Sequence, residues 1–202
     1  MKRGDFLHLS AGVDVAALPG EVSAAEFRGA MRHLAGGVSV ITAGRGGDIG
    51  GMTVTSVSSL SVEPPTLIVS INRESSSWPL IRRYGAFGVN MLAADQVEIA
   101  ERFTGKGGLK GAARFTGVAS TTLVSGVPLL GGVLAAIDCE LEHVVERHSH
   151  AIVIGRVLDL RTSRRAAALA YWHGGYVAID HDEDAVRLAE VSLTSPRALW
   201  ES

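Results

Sequence analysis

The sequence predicts a mainly β fold, a closed or split antiparallel barrel with short helices around it. Three observations carry that reading. Glycine supplies 24 of the 202 residues while only 5% are aromatic, a balance suited to many tight turns rather than a helical bundle. β-Branched runs recur, among them Val38 to Ala43 (VSVITA), Thr66 to Ile71 and Ile152 to Leu160, and such runs favour strands. Glycine and proline corners separate them.

Residues 1–22 show no sustained period and read as an arm. Ser23 then offers an N-cap, with Glu26 completing a capping box. Phe27, Ala30, Met31 and Leu34 follow at helical spacing, so a short amphipathic helix ends at Gly36 and Gly37. VSVITA and the glycine turn from Gly44 to Gly51 form a hairpin leading into the most informative stretch, residues 50–72. There Met52, Val54, Val57 and Leu60 are apolar, while Thr53, Thr55, Ser56, Ser58, Ser59 and Ser61 carry hydroxyls. This near-alternation marks a half-buried strand bending into a loop. Threonine and serine also favour strand surfaces for no functional reason. Six hydroxyls in nine residues, beside side chains small enough to leave backbone N–H groups approachable, nevertheless suit a polar, planar ligand rich in acceptors.

Pro64 and Pro65 cannot donate to a ladder, so the next strand begins after them. Ser75, Ser76 and Ser77 cap a short helix bearing Trp78, Leu80, Ile81 and Tyr84, which ends at Gly85. Phe87 to Leu92 is a strand, Ala94 to Phe103 an amphipathic helix, and Gly105 to Arg114 a loop. Strands predominate from Phe115: a Gly126–Pro128 corner, an apolar run from Val133 to Leu141, and the strand from Ile152 to Leu160. Ala166 to Trp172 reads as a helical turn, Gly174 and Gly175 as a corner, and Tyr176 to Ile179 as the last strand. The domain organisation is therefore an arm, one domain over residues 23–180, and a tail over 181–202.

Several function classes are disfavoured. A net charge of −2 and a pI near 6.4 provide no basic footprint for nucleic acid or an anionic membrane. The single cysteine, Cys139, excludes an internal disulfide. His8 and Asp14 interrupt any signal-peptide core, and no apolar stretch is long enough to span a bilayer, so a cytoplasmic protein is expected. The glycines at 44–51 lack the strand–loop–helix context of a phosphate loop. No GxSxG elbow or paired carboxylate is present. His148 and His150 with Glu146 lack a firm third metal ligand, so no metal is expected. Arg161, Arg164 and Arg165 could pair with a phosphate but read as a solvated surface.

Four blocks bring in a family. They are FRGAMRHLAGGVSVITA (27–43), GMTVTSVSSLSVEPPTLIVSINRESSSWPLI (51–81), FGVNMLAADQVEIAERFTGK (87–106), and GVPLLGGVLAAIDCELEHVV with HSHAIVIGRV (126–157). In these the chain resembles the flavin reductase family with the FMN-binding split-barrel fold, a Greek-key antiparallel architecture. It is similar to reductase components of two-component flavin-dependent monooxygenases and to the FMN reductase of pyrimidine catabolism.

The resemblance implies a homodimer that binds FMN or FAD, takes a hydride from NADH or NADPH, and supplies reduced flavin to a partner oxygenase. It implies that Thr53, Val54, Thr55 and Ser56 line the isoalloxazine and ribityl chain, with Ser59 and Ser61 continuing toward the phosphate. Asn72, Ser76 and Trp78 match the ribityl-phosphate end, Asn90 and Met91 the neighbouring strand, and Phe103 and Lys106 the closing segment. The family's Gly-Asp-His turn reads His148-Ser149-His150 here; His150 keeps the histidine expected on the nicotinamide side. In such a reductase the cofactor carries the chemistry and the protein holds and orients it. A flavin carrier or sensor of the same fold with little turnover is the alternative.

Overall fold

The computed structural model describes residues 22–164 and 167–180. The sequence-predicted arm, apart from Val22, and the tail lie outside the described residues. In chain order, α1 spans Ala24–Met31, β1 Gly36–Gly37, β2 Ser39–Arg45, β3 Asp48–Val54, β4 Val57–Val62 and β5 Pro65–Asn72. Next come α2 (Trp78–Tyr84), β6 (Ala86–Met91), α3 (Val97–Thr104), β7 (Ser120–Thr121) and β8 (Leu129–Leu130). The long strands β9 (Ala135–Arg147) and β10 (His150–Thr162) precede β11 (Ala168–Trp172) and β12 (Gly175–Ile179).

Seven strands form one antiparallel sheet in the order β3-β2-β6-β9-β10-β5-β4. Its two edge strands, β3 and β4, are joined in sequence by only Thr55 and Ser56. So short a link forces the sheet to curl until its edges meet, leaving a seam instead of a closed ladder. That is the split barrel the sequence predicts. A three-stranded sheet, β1-β11-β12, packs beside it, and Ala93 bridges to Ala168 between the two.

Alternation along the strands fills the barrel with Ile41, Val69, Ile71, Phe87, Val89 and Val153, all buried, with Trp78, Leu80 and Ile81 of α2 capping one end. Gly155 makes room for the ring of Phe87, since a Cβ there would come within 2.4 Å of it. Cys139 belongs to this core, where burial, reinforced by Asp138, pushes its thiol up to about 12. A second core under α3 gathers Val40, Leu92, Ala100, Phe103, Phe115 and Leu129. Phe103 reaches it over Gly51, where a Cβ would meet the ring at 2.7 Å.

The capping box of α1 forms as the sequence predicts, Ser23 Oγ accepting from the Glu26 amide at 3.2 Å and Glu26 accepting from the Ser23 amide at 2.8 Å. Several boundaries differ. The Gly44–Gly51 turn contracts to Gly46 and Gly47, because the flanking residues pair as strands. Pro65 itself opens β5, a position where its missing N–H is not needed. The Gly105–Arg114 loop contains short 3-10 turns at Lys106–Gly108 and Gly111–Phe115. Of the helical turn expected over Ala166 to Trp172, Ala166 lies outside the described residues and Ala168–Trp172 is instead strand β11, held by pairing with β12 through a His173–Gly174 turn. None of the described helices is long and apolar enough to cross a membrane.

Candidate flavin-binding site

The seam opens onto a cavity of about 440 Å³. One wall is β3 and the link after it: Met52, Thr53, Val54, Thr55 and Ser56. Ser70 and Asn72 of β5 face them, His150 enters at the start of β10, and Tyr171 and Tyr176 close the side from the β11–β12 hairpin. The hydroxyl-rich stretch is thus presented where the barrel leaves its own edges unpaired. Thr53 donates to the Ala100 carbonyl at 2.6 Å, tying β3 to α3, and Ser56 donates to the Ser70 carbonyl at 2.8 Å, carrying the β4–β5 pairing into the link. Tyr171 and Tyr176 are cross-strand partners with ring centroids 5.3 Å apart. Burial, then nearby Glu101 and Tyr171, push the Tyr176 phenol up against the opposing pull of Lys106, so it remains a neutral hydroxyl at neutral pH.

A second cavity, about 530 Å³, shares Met52, Thr53, Asn72 and Thr104 with the first. Its remaining lining is of different character: Glu74, Ser75, Ser76, Phe103, Lys110 and Arg114. Arg114 is 9% exposed and donates through Nε to the Leu109 carbonyl at 2.9 Å and through Nη1 to the carbonyls of Phe103 at 3.1 Å and Gly51 at 2.5 Å. Burial lowers its pKa, yet a guanidinium remains charged at neutral pH. No carboxylate pairs with it among the described residues. The Ser75 Oγ is buried with no hydrogen-bond partner, as is that of Ser77 behind it. Arg114 and Lys110 outnumber Glu74 in this basin, and with the unsatisfied Ser75 hydroxyl they make a site suited to an anion.

His150 is held by its turn despite the altered residues. The Ser149 hydroxyl lies 2.8 Å from His150 Nδ1. The Arg73 amide donates to the Ser149 carbonyl at 2.9 Å and its guanidinium to the His148 carbonyl at 3.1 Å. Arg73 and Arg82 both pair with Glu146, at 2.8 and 3.0 Å. These contacts fasten the β9–β10 tip to the segment after β5. His148 stands at φ +50°, at the first position of a two-residue hairpin turn, where glycine is favoured. Left-handed strain of about 1–3 kcal/mol exceeds glycine's extra unfolded-state entropy of roughly 0.5–1 kcal/mol. His148→Gly is therefore expected to raise unfolding free energy by about 1 kcal/mol, read from the denaturant midpoint, with flavin affinity retained.

Of the residues singled out from sequence, Thr53, Val54, Thr55, Ser56, Asn72 and His150 line the first cavity, and Ser76 and Phe103 the second. The others line neither. Ser59 and Ser61 lie farther along β4, outside the cavity lining, and Ser61 Oγ donates to the Glu63 carbonyl at 3.0 Å. Trp78 is buried in the barrel core with Arg82 over its ring at 5.7 Å. The Asn90 amide is consumed inside, donating to the Val40 carbonyl at 2.9 Å and accepting from the Leu130 amide at 2.7 Å. Met91, half-buried, continues the same strand. Lys106 pairs with Glu101 at 2.7 Å. Sequence reasoning missed Tyr171, Tyr176, Lys110 and Arg114. The first two were signalled by the HGG turn between aromatic-flanked β runs.

The Flavin reductase like domain family matches residues 31–180. The chain is 38% identical over 156 residues to the FMN reductase (NADH) RutF 2 of Methylorubrum extorquens, covering 76% of this chain and 88% of that one. It is 35% identical over 157 residues to the flavin-dependent monooxygenase reductase subunit HsaB of Rhodococcus jostii, covering 78% of each. Its fold matches BorF, the flavin reductase component of a bacterial two-component tryptophan halogenase, with a TM-score of 0.71 at 30% identity over 78% of this chain and 99% of that one. With the split barrel, the seam cavity and the basic basin beside it, these similarities establish that the chain belongs to the flavin reductase-like domain family.

Proposed function

We propose that the protein is an NAD(P)H-dependent flavin reductase that takes FMN or FAD across the two joined cavities and supplies reduced flavin to a separate oxygenase. The observation that carries this reading is the pairing itself. A cavity with apolar, hydroxyl and aromatic walls shares four residues with an anion-suited basin. A ligand with a planar, acceptor-rich head and a phosphate tail fits that pairing.

Bound flavin supplies the hydride-accepting ring. Residues 53–56 hold its polar edge with hydroxyls and backbone N–H groups, whose fixed dipoles stabilise negative charge without reorganising. Ser75, Lys110 and Arg114 hold the phosphate. His150, oriented by Ser149, borders the space left for the nicotinamide. Tyr171 and Tyr176 narrow the mouth and exclude water. The protein's main contribution is orientation, which accords with the absence of a buried acid–base pair among these residues. A second copy covers the apolar side chains exposed along β10 and β4, Ile152, Leu160, Leu60 and Val62, making the active form a homodimer.

The test mixes purified protein with NADH or NADPH and with FMN, FAD or riboflavin, and follows loss of nicotinamide absorbance. Acceleration with at least one pair is expected. If flavin binds and no pair is accelerated, the protein is a carrier and the enzyme reading fails.

A further inference from the structure

We propose that Glu74 is a specificity-determining residue that keeps FMN exchangeable by setting a fixed negative charge against the flavin phosphate, an inference that rests on the flavin reductase reading above. Glu74 lines the basin assigned to the phosphate, together with Ser75, Ser76, Lys110 and Arg114. An acidic side chain in an anion site opposes the ligand that the cations attract.

The backbone puts it there. β5 ends at Asn72, and a tight turn follows in which the Ser75 amide donates to the Asn72 carbonyl at 3.1 Å and the Glu74 amide to Asn72 Oδ1 at 3.0 Å. Closing a turn on its own side chain is a common use of asparagine. Asn72 lines both cavities, so Glu74 is fixed close to where they join. Nothing neutralises it within the described residues. The neighbouring Arg73 is engaged at the β9–β10 tip, pairing with Glu146 at 2.8 Å and donating to the His148 carbonyl at 3.1 Å. No ion pair joins Glu74 to Lys110, to Arg114 or to any other described cation. Two cations and one carboxylate therefore border the same space without closing on each other, and an anion entering it meets both signs.

The charge on the ligand decides the consequence. At neutral pH a phosphate monoester carries about −1.5 to −2, whereas riboflavin has no phosphate. Lys110 and Arg114 attract the monoester and Glu74 offsets part of that attraction, so the basin recognises a phosphate without retaining it. Repulsion inside the occupied basin acts on the bound state and shows chiefly in release. Two cations alone would suit a flavin kept as a prosthetic group. With Glu74 beside them the site suits a flavin that is bound, reduced and released, as supply to a separate oxygenase requires.

Flavin fluorescence titration gives Kd for FMN and riboflavin on wild type, Glu74→Gln and Glu74→Asp, and dilution in a stopped-flow instrument gives the release rate. The side chain is exposed and takes no part in the turn's hydrogen bonds, so the variants fold. In Glu74→Gln, FMN is expected to bind about fivefold tighter, with slower release, while riboflavin stays within about twofold. The gain should shrink at about 1 M salt, where the screening length falls to roughly 3 Å. Glu74→Asp keeps the charge and should keep the wild-type preference. FMN binding that is unchanged or weaker in Glu74→Gln, riboflavin tightened equally, or a gain carried wholly by faster association overturns the proposal. A wild type that binds neither flavin overturns it together with the reductase reading. Binding without turnover of nicotinamide sinks that reading alone, and the same titrations still decide Glu74.

Discussion

Replacing Ser56 by tryptophan is expected to weaken flavin binding by at least about 100-fold, close to 3 kcal/mol, while the protein stays folded. Ser56 lies in the two-residue link between β3 and β4, is exposed, and lines the seam cavity. An indole there reaches the cavity mouth, where it would overlap the space a flavin ring needs beside residues 53–56. The cost to folding is confined to the bond from Ser56 Oγ to the Ser70 carbonyl, about 1 kcal/mol. Ser56→Ala isolates that term and should bind flavin nearly as wild type does. Flavin fluorescence titration reads affinity, and far-ultraviolet circular dichroism reads the fold. Unchanged affinity in a folded Ser56→Trp would show that the ring binds elsewhere.

What could be read in the sequence divides along physical lines. The barrel was legible because its signals are local: alternation in β3, the β-branched run of β5, the Ser23 capping box, and Gly85 at the end of α2. The strand β11 was not, because ALAYW is neutral between helix and strand and pairing with β12 decides it. Within the site, Thr53 to Ser56 were legible as an unusual hydroxyl face. Ser59 and Ser61 share that pattern yet stand farther along β4, outside the cavity lining, because periodicity does not mark how far along a strand a cavity reaches. Asn90 and Trp78 match the family pattern at core positions, where their burial and packing explain them. Lys110 and Arg114 sat in a stretch read as loop. Arg114 acquires its role through a carbonyl 63 residues away in sequence, a contact that no local window contains.

Arg114 provides the second large effect, because it links stability to ligand recognition. Arg114→Ala would leave the carbonyls of Gly51, Phe103 and Leu109 without their donor. Bonds from a charged donor are worth more than neutral ones, so the expected loss is about 3–5 kcal/mol of unfolding free energy. That variant alone cannot separate scaffold from ligand binding, whereas two milder changes can. Arg114→Lys keeps the charge and loses the fork, so it should fold with lowered stability. Lys110→Ala removes an exposed side chain of the same basin and should change stability by no more than about 0.5 kcal/mol. If the basin holds the flavin phosphate, both should weaken FMN by about tenfold relative to riboflavin, which has no phosphate. Riboflavin affinity itself should be nearly unchanged. Equal weakening of FMN and riboflavin in Arg114→Lys, with no effect of Lys110→Ala, would make Arg114 a purely structural cation. The phosphate would then have to be held from another side of the seam.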